Sequence, residues 1–237
     1  GNFFGMLPES MKDSQLTGVE LDSISGRIAR KLYPNADIKI TGYENTKFAD
    51  NSFDVAVGNV PFGDYSLHDK RYDKDHLLIH DYFFVKTLDK VRPGGIVAFV
   101  TSKGTLDKAN PAARRLMAER ADLLGAIRLP NTAFKANAGA SVTTDILFLQ
   151  KKRDTPPEQL PAWTETGKNA DGMELNNYFL QHPEMILGTM QEVTTQYGKD
   201  TACVPDPNVE LEDLLSAAVL HLGHENVFQS NTLIEDD

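Results

Sequence analysis

The sequence predicts an α/β fold with a mostly parallel, twisted sheet and a small C-terminal α+β appendage. Short apolar runs rich in β-branched residues, such as Phe53–Val57 and Ile96–Thr101, read as buried strands. Stretches of helical spacing separate them: Ile24, Ile28 and Leu32 within Ser23–Leu32, and Leu77, His80, Phe84, Leu88 and Val91 within His76–Val91. Strand and helix periods that alternate in this way belong to parallel strands joined by helical crossovers.

In chain order, Leu16–Asp22 reads as a strand that ends in an acid. The helix Ser23–Leu32 follows and Pro34 closes it. Asp37–Thr41 is a short strand with Ile38 and Ile40 on one face, and Gly42-Tyr43-Glu44 stands at its end. Phe53–Gly58 is the next strand, Gly63–Asp75 a polar loop and His76–Val91 a helix. Arg92-Pro93-Gly94-Gly95 reads as a tight turn into Ile96–Thr101, a strand buried on both faces. Pro111–Glu119 is a helix with Pro in its first turn. Asp122–Leu129 and Val142–Gln150 are strands on either side of the small-residue loop Phe134–Ser141, and Asp145 breaks the apolar face of the second, as an edge or substrate-side residue would. Lys151–Gly172 has the Pro and charge content of a linker. The division expected is therefore a catalytic domain over 1–152, a linker over 153–172 and an appendage over 173–237. The appendage holds a short helix (Glu174–Gln181), a hairpin across Tyr197-Gly198, a helix over Val209–Leu222 and a frayed end.

Composition narrows the function classes. The chain has 237 residues, 41% hydrophobic and 24% charged, the balance of a globular protein with a sizeable core. No apolar run approaches the length of a membrane span, and residues 1–15 lack the pattern of a secretory signal. The single Cys203 excludes an intrachain disulfide and fits a reducing, cytoplasmic setting. His68, His76 and His80 have no supporting acid or Cys pattern, so no metal site is expected. A net charge of −10 argues against a protein that coats nucleic acid generally. Basic residues still collect at Lys103, Lys108, Arg114, Arg115, Arg120 and Arg128, either as a solvated face or as a phosphate-binding patch.

The functional signal is the tip of the Phe53–Gly58 strand, where Asn59-Val60-Pro61-Phe62-Gly63 follows. Pro61 cannot continue a ladder, so the polar tip sits at the carboxyl end of a strand, where open α/β sheets place their ligands. Asn59 offers a carbonyl acceptor and Phe62 a flat apolar face. Acceptors beside a ring suit a planar group that bears an amine, such as an extruded base.

Asn59-Val60-Pro61-Phe62 resembles the Asn-Pro-Pro-Phe/Tyr motif of S-adenosylmethionine-dependent methyltransferases that modify the amino group of adenine in DNA, and Phe53–Gly58 matches the strand leading into it. Val60 replaces the usual first Pro. This form is similar to the methylase parts of large helicase–methylase polypeptides of bacterial mobile elements. The resemblance implies a Rossmann-like class I methyltransferase fold, S-adenosyl-L-methionine as cofactor, and DNA and helicase or other DNA-binding domains as partners. It assigns catalysis to Asn59, Pro61 and Phe62. Gly1-Asn2-Phe3 resembles the tail of the family's Pro-x-x-Gly-x-Gly-x-Phe motif, cut before the first strand, which suggests a fragment of a longer protein. The cofactor-binding residues it implies are Gly1, Asn2, Phe3, Glu20, Leu21, Glu44 and Asn59, with Glu20 on the ribose (Asp22 second) and Glu44 on the cofactor adenine. Two other readings stay open: methylation of a protein glutamine or another amine, and a truncated methylase that only binds.

Overall fold

The computed structural model describes residues 2–134, 141–153, 159–195 and 198–222. Gly1, most of the Phe134–Ser141 loop, half of the Tyr197-Gly198 turn and the end after Leu222 lie outside the described residues.

A short helix α1 (Asn2–Gly5) leads to β1 (Thr17–Glu20), α2 (Ser23–Leu32) and β2 (Asp37–Ile40). β1 and β2 pair in parallel and form a sheet of their own. Asp22 starts α2 by accepting the Ser25 N–H at 2.7 Å, a helix N-cap. Its carboxyl is held below the usual carboxylate range, first by that backbone bond.

β3 (Phe53–Asn59), α3 (Ile79–Lys90), β4 (Val91–Ser102), α4 (Gly104–Asp107), α5 (Ala112–Arg120), β5 (Ala121–Leu129) and β6 (Thr144–Lys151) follow. β3, β4, β6 and β5 lie in that order in a four-stranded sheet. β4 is parallel to β3, and β6 is antiparallel to both of its neighbours, so β3, β4 and β5 run one way and β6 alone is reversed. α3 carries Asp81 in its first turn and Lys90 in its last, charges that suit the helix dipole. It packs on the sheet through fully buried Phe84, Val85 and Leu88, with Phe84 edge-on to Phe99 at 5.3 Å between ring centres.

Three local expectations need correction. Arg92-Pro93-Gly94-Gly95 is not a turn ahead of the strand. It lies inside β4 as an irregularity, since Phe53 pairs with Val91 and Val55 already with Ile96. Gly94 takes a φ of 79°, which a side chain resists. Asp145 is not an edge residue either: β6 is an inner strand of its sheet and Asp145 is fully buried. Finally, Ile24, Ile28 and Leu32 do share a helix face, but that face is exposed. α2 buries Gly26 and Ala29 instead, because Gly26 lets Ile40 approach to 2.7 Å of where a Cβ would stand.

Beyond β6 the chain forms β7 (Thr166–Lys168), β8 (Glu174–Asn176), α6 (Asn177–Gln181), the hairpin β9 (Thr189–Thr195) and β10 (Gly198–Val204), and α7 (Leu211–His221). Residues 159–172, linker-like in composition, include a 3-10 turn with buried Trp163 and Thr164 and the strand β7. Arg114, fully buried, donates to the Thr164 carbonyl at 2.7 Å. Trp163, Phe179, Met185 and Leu187 belong to the same apolar core as Phe84, Met117, Ile127 and Leu147. No helix among the described residues is long and apolar enough to cross a membrane.

Candidate active site

The carboxyl ends of β1, β2 and β3 carry the predicted residues. β3 ends at Asn59, which pairs with Val100 of β4. The next residue anchors the tip: the Val60 N–H donates to the Val100 carbonyl at 3.0 Å, and its side chain is buried in the core at 4% exposure. The side chain that replaces Pro is therefore a packing group, and it holds the backbone of the tip in place. Asn59 itself is exposed, and its amide makes no hydrogen bond among the described residues. Phe62 is 39% exposed, so part of its ring is open to a ligand while the rest packs against the protein. The loop then leans on the start of α3, where the Ile79 N–H donates to the Tyr65 carbonyl at 2.8 Å.

Glu20 is the last residue of β1. Its Oε1 accepts the Asp22 N–H at 2.9 Å, and its other oxygen has no partner among the described residues. Leu21 beside it is 76% exposed. The Thr41 N–H donates to the Glu20 carbonyl at 3.0 Å, which brings the end of β2 alongside. Glu44 lies in the 3-10 turn Tyr43–Asn45 that follows β2, and its Oε1 accepts from Asn45 Nδ2 at 2.7 Å. Phe3, in α1, is 45% exposed. An unpaired carboxylate oxygen beside the exposed Leu21 side chain is an acceptor that fits a ribose diol. Gly1 is outside the described residues, and Asn2 begins α1.

Sequence reasoning missed the site's support. Lys86, on the buried face of α3, is 2% exposed and donates through Nζ to the carbonyls of Tyr43 (2.8 Å) and Glu44 (3.3 Å), to Asp69 Oδ2 (3.0 Å) and to Tyr82 Oη (3.0 Å). Burial pulls its ammonium below the usual lysine range, against the pull of Asp69. Tyr43 is bound to Thr87 at 2.9 Å between hydroxyl oxygens, and burial pushes its phenol up to about 12. The signal was a lysine four residues after Tyr82 within the mostly apolar run Phe83–Leu88, where an apolar residue would be ordinary.

The basic cluster is not a phosphate-binding patch. Arg128 and Arg114 are fully buried. Arg128 forks onto Asp145 (2.8 and 2.9 Å), reaches Asp107 (2.7 Å) and stacks 4.3 Å over Phe179. Burial alone would lower its pKa, but the two carboxylates hold it raised. Lys103 pairs with Asp200, Lys108 with Asp81, Arg115 with Glu165 and Arg120 with Asp89. The Lys103–Asp200 pair, a 2.9 Å bond from the Cys203 N–H to Thr143 Oγ1 and one of 2.8 Å from the Asn131 N–H to the Cys203 carbonyl seat the β9–β10 hairpin at the carboxyl end of β4 and β5, the same end of that sheet as Asn59.

The profile of the family described as N-6 DNA Methylase matches residues 14–200. Over 152 residues the chain is 34% identical to the protein named defense against restriction protein B of Escherichia phage P1; the match takes in 62% of this chain and 7% of that relative. Among solved structures, the modification subunit of a type I restriction enzyme of Vibrio vulnificus aligns with 87% of this chain and 50% of its own, at a TM-score of 0.52 and 15% identity. A class I S-adenosylmethionine-dependent methyltransferase of Listeria monocytogenes aligns with 62% of this chain and 48% of its own, at 0.50 and 21%. At these identities the structures speak for the fold.

Proposed function

The chain belongs to the N-6 DNA methylase family, and from that premise we propose that it is the catalytic segment of an enzyme that transfers a methyl group from S-adenosyl-L-methionine to the exocyclic amine of adenine in DNA. The observation that carries the proposal is the tip of β3: an exposed Asn59 amide without an internal partner, on a backbone fixed by buried Val60, beside an open Phe62 ring.

An adenine amine is a poor nucleophile because its lone pair is delocalised into the ring. Asn59 Oδ1 accepts one amine hydrogen and a carbonyl of Val60 or Pro61 accepts the other. The nitrogen is then drawn toward a tetrahedral arrangement with its lone pair localised. Phe62 stacks on the extruded base; such stacking is worth on the order of 1–3 kcal/mol and offsets the loss of duplex stacking. The cofactor, when bound, supplies an electrophilic methyl on a sulfonium. Glu20 would take its ribose hydroxyls, Leu21 and Phe3 would lie against its purine, Glu44 would accept from the purine amine, and Gly1 and Asn2 are the remaining residues that the family resemblance assigns to it. Asn59 stands between cofactor and target. As the new N–C bond forms the methyl–sulfur bond breaks and leaves a neutral thioether, the methylated nitrogen releases one proton to solvent, and the residues position rather than donate charge.

Residues 1–152 carry this chemistry, residues 153–172 connect, and residues 173–237 include the hairpin seated at the catalytic end. With the basic cluster committed to internal carboxylates and, at Arg114, to backbone carbonyls, phosphate contacts come from helicase or other DNA-binding parts of the parent polypeptide, in the cytoplasm. The test is to incubate the full-length polypeptide with cofactor and an adenine-containing duplex and identify the product by mass spectrometry of the nucleosides. N6-methyldeoxyadenosine is expected. Methylation confined to cytosine, or to glutamine in added peptides, contradicts the proposal.

A further inference from the structure

We infer that Lys86 is a positioning residue that couples cofactor binding to the order of the target-side loop, by joining the Tyr43–Glu44 turn and Asp69 through one buried ammonium. The inference rests on the functional reading above, which places the cofactor at the end of β2 and the target base beside the loop after Asn59.

Lys86 has three N–H donors and four acceptors around it. Two acceptors, the Tyr43 and Glu44 carbonyls, belong to the turn after β2. A third, Asp69 Oδ2, belongs to the loop that runs from the Asn59 tip into α3. Asp69 in turn builds that loop: its Oδ1 accepts the Arg71 N–H at 3.2 Å, its carbonyl accepts the Tyr72 and Asp73 N–H groups at 2.8 and 2.9 Å, and its Oδ2 also accepts the Tyr82 hydroxyl at 2.8 Å. The ammonium sits 4.9 Å from the Tyr43 ring centre and 5.5 Å from that of Tyr82, so aromatic faces rather than water complete its surroundings.

A buried charge that loses one partner gains no water in exchange, so the penalty for releasing either side is large. The two segments therefore hold or release together. If the Asp69 loop moves away, Lys86 is left without a counter-charge and its hold on the Tyr43 and Glu44 carbonyls weakens. If the turn is disordered, the Asp69 anchor weakens. A ligand that orders one segment lowers the cost of ordering the other, and by linkage the effect is the same in both directions. Neither ligand touches Lys86; it acts through the two backbones it binds.

The experiment measures cofactor affinity by calorimetry in the full-length polypeptide, with and without an adenine-containing duplex, for wild type, Asp69→Asn, Lys86→Met and the double variant. Asp69→Asn alters only the target side of the bridge and keeps a side chain of the same shape. It should weaken cofactor binding by about fivefold or more, and the double variant should bind no worse than Lys86→Met alone. If Asp69→Asn lowers the melting temperature but leaves cofactor affinity within twofold of wild type, Lys86 is a local structural pin and the inference fails while the functional reading stands. If wild type itself binds no cofactor, the functional reading fails and the coupling with it. Should Lys86→Met not fold, Asp69→Asn and Lys86→Arg still decide: the arginine variant, which keeps the charge on a different reach, should fall between wild type and Asp69→Asn in cofactor affinity, and equal affinity in all three overturns the coupling.

Discussion

Phe62 separates a core role from a ligand-facing one. A fully buried Phe truncated to Ala destabilises by about 3–5 kcal/mol; Phe62, at 39% exposure, has only part of that burial to lose. Phe62→Ala should therefore cost less stability than a core Phe would while lowering duplex affinity, and Phe62→Tyr or Trp should keep activity because any flat ring stacks. A large stability loss without a change in DNA binding would return Phe62 to the core. Glu20→Gln should weaken cofactor binding by calorimetry at nearly unchanged melting temperature; equal affinity would remove Glu20 from the ribose. The strand ends that carry Asn59 and Glu20 were legible in the sequence because a Pro two residues after Asn59 stops the ladder and an acid after an apolar run marks the end of β1. Asp22, the second candidate for the ribose, caps α2 in the structure. Lys86 was not, because its partners Tyr43 and Asp69 lie 43 and 17 residues away and meet it only in the folded chain.

At the scale of elements, the helix and strand periods located every crossover of the α/β part, with ends displaced by a few residues. What they could not give was register. Asp145 faces Arg128 because β5 and β6 pair antiparallel with those two residues opposite each other. Without that register an acid in an apolar strand reads as an edge and an arginine as a surface charge. Removing one partner leaves the other charge buried, so Arg128→Met should destabilise by about 3–5 kcal/mol in chemical denaturation, and adding Asp145→Leu should recover part of it. No loss for the single variant would mean that the pair is not buried in solution. A second network ties the loop before α3 to its end. Asp50 lies below the ordinary carboxylate value of 3.8, first through Lys90 at 2.6 Å and then through Arg71. Its contribution is complete above the unfolded value and is lost as pH falls through the lower folded one. Asp50→Asn should thus lower the melting temperature at pH 7 and flatten its decline below about pH 4. A parallel decline in both proteins would contradict the network.

For the whole molecule, composition suggested a joint at 153–172, yet the segments on either side share one apolar core, Asn176 bonds to Leu106 and Arg128 stacks on Phe179 across the joint, and Arg114 bonds Thr164 within it. Asn176 Nδ2 donates to the Leu106 carbonyl at 2.9 Å and to the Trp163 carbonyl at 2.8 Å. Pro and charge content reports how a segment would behave alone and is silent on a Trp that finds a pocket. A protease cut within 153–172 should accordingly leave two pieces that co-elute on gel filtration; their separation would argue for independent domains. The sequence left the basic cluster open between a solvated face and a phosphate-binding patch for the same reason, since charges close in sequence say nothing of the carboxylates they meet. With those cations paired internally, the chain by itself should bind duplex weakly, with a shallow dependence on salt. The most direct test of the account is methyl transfer by Asn59→Ala in the full-length polypeptide, followed with tritiated cofactor on an adenine-containing duplex. Because the Asn59 side chain is exposed and bonds nothing among the described residues, the variant should fold as wild type does and still bind cofactor, yet transfer no measurable methyl. Transfer to adenine at the wild-type rate would contradict the central claim that this amide holds the target amine.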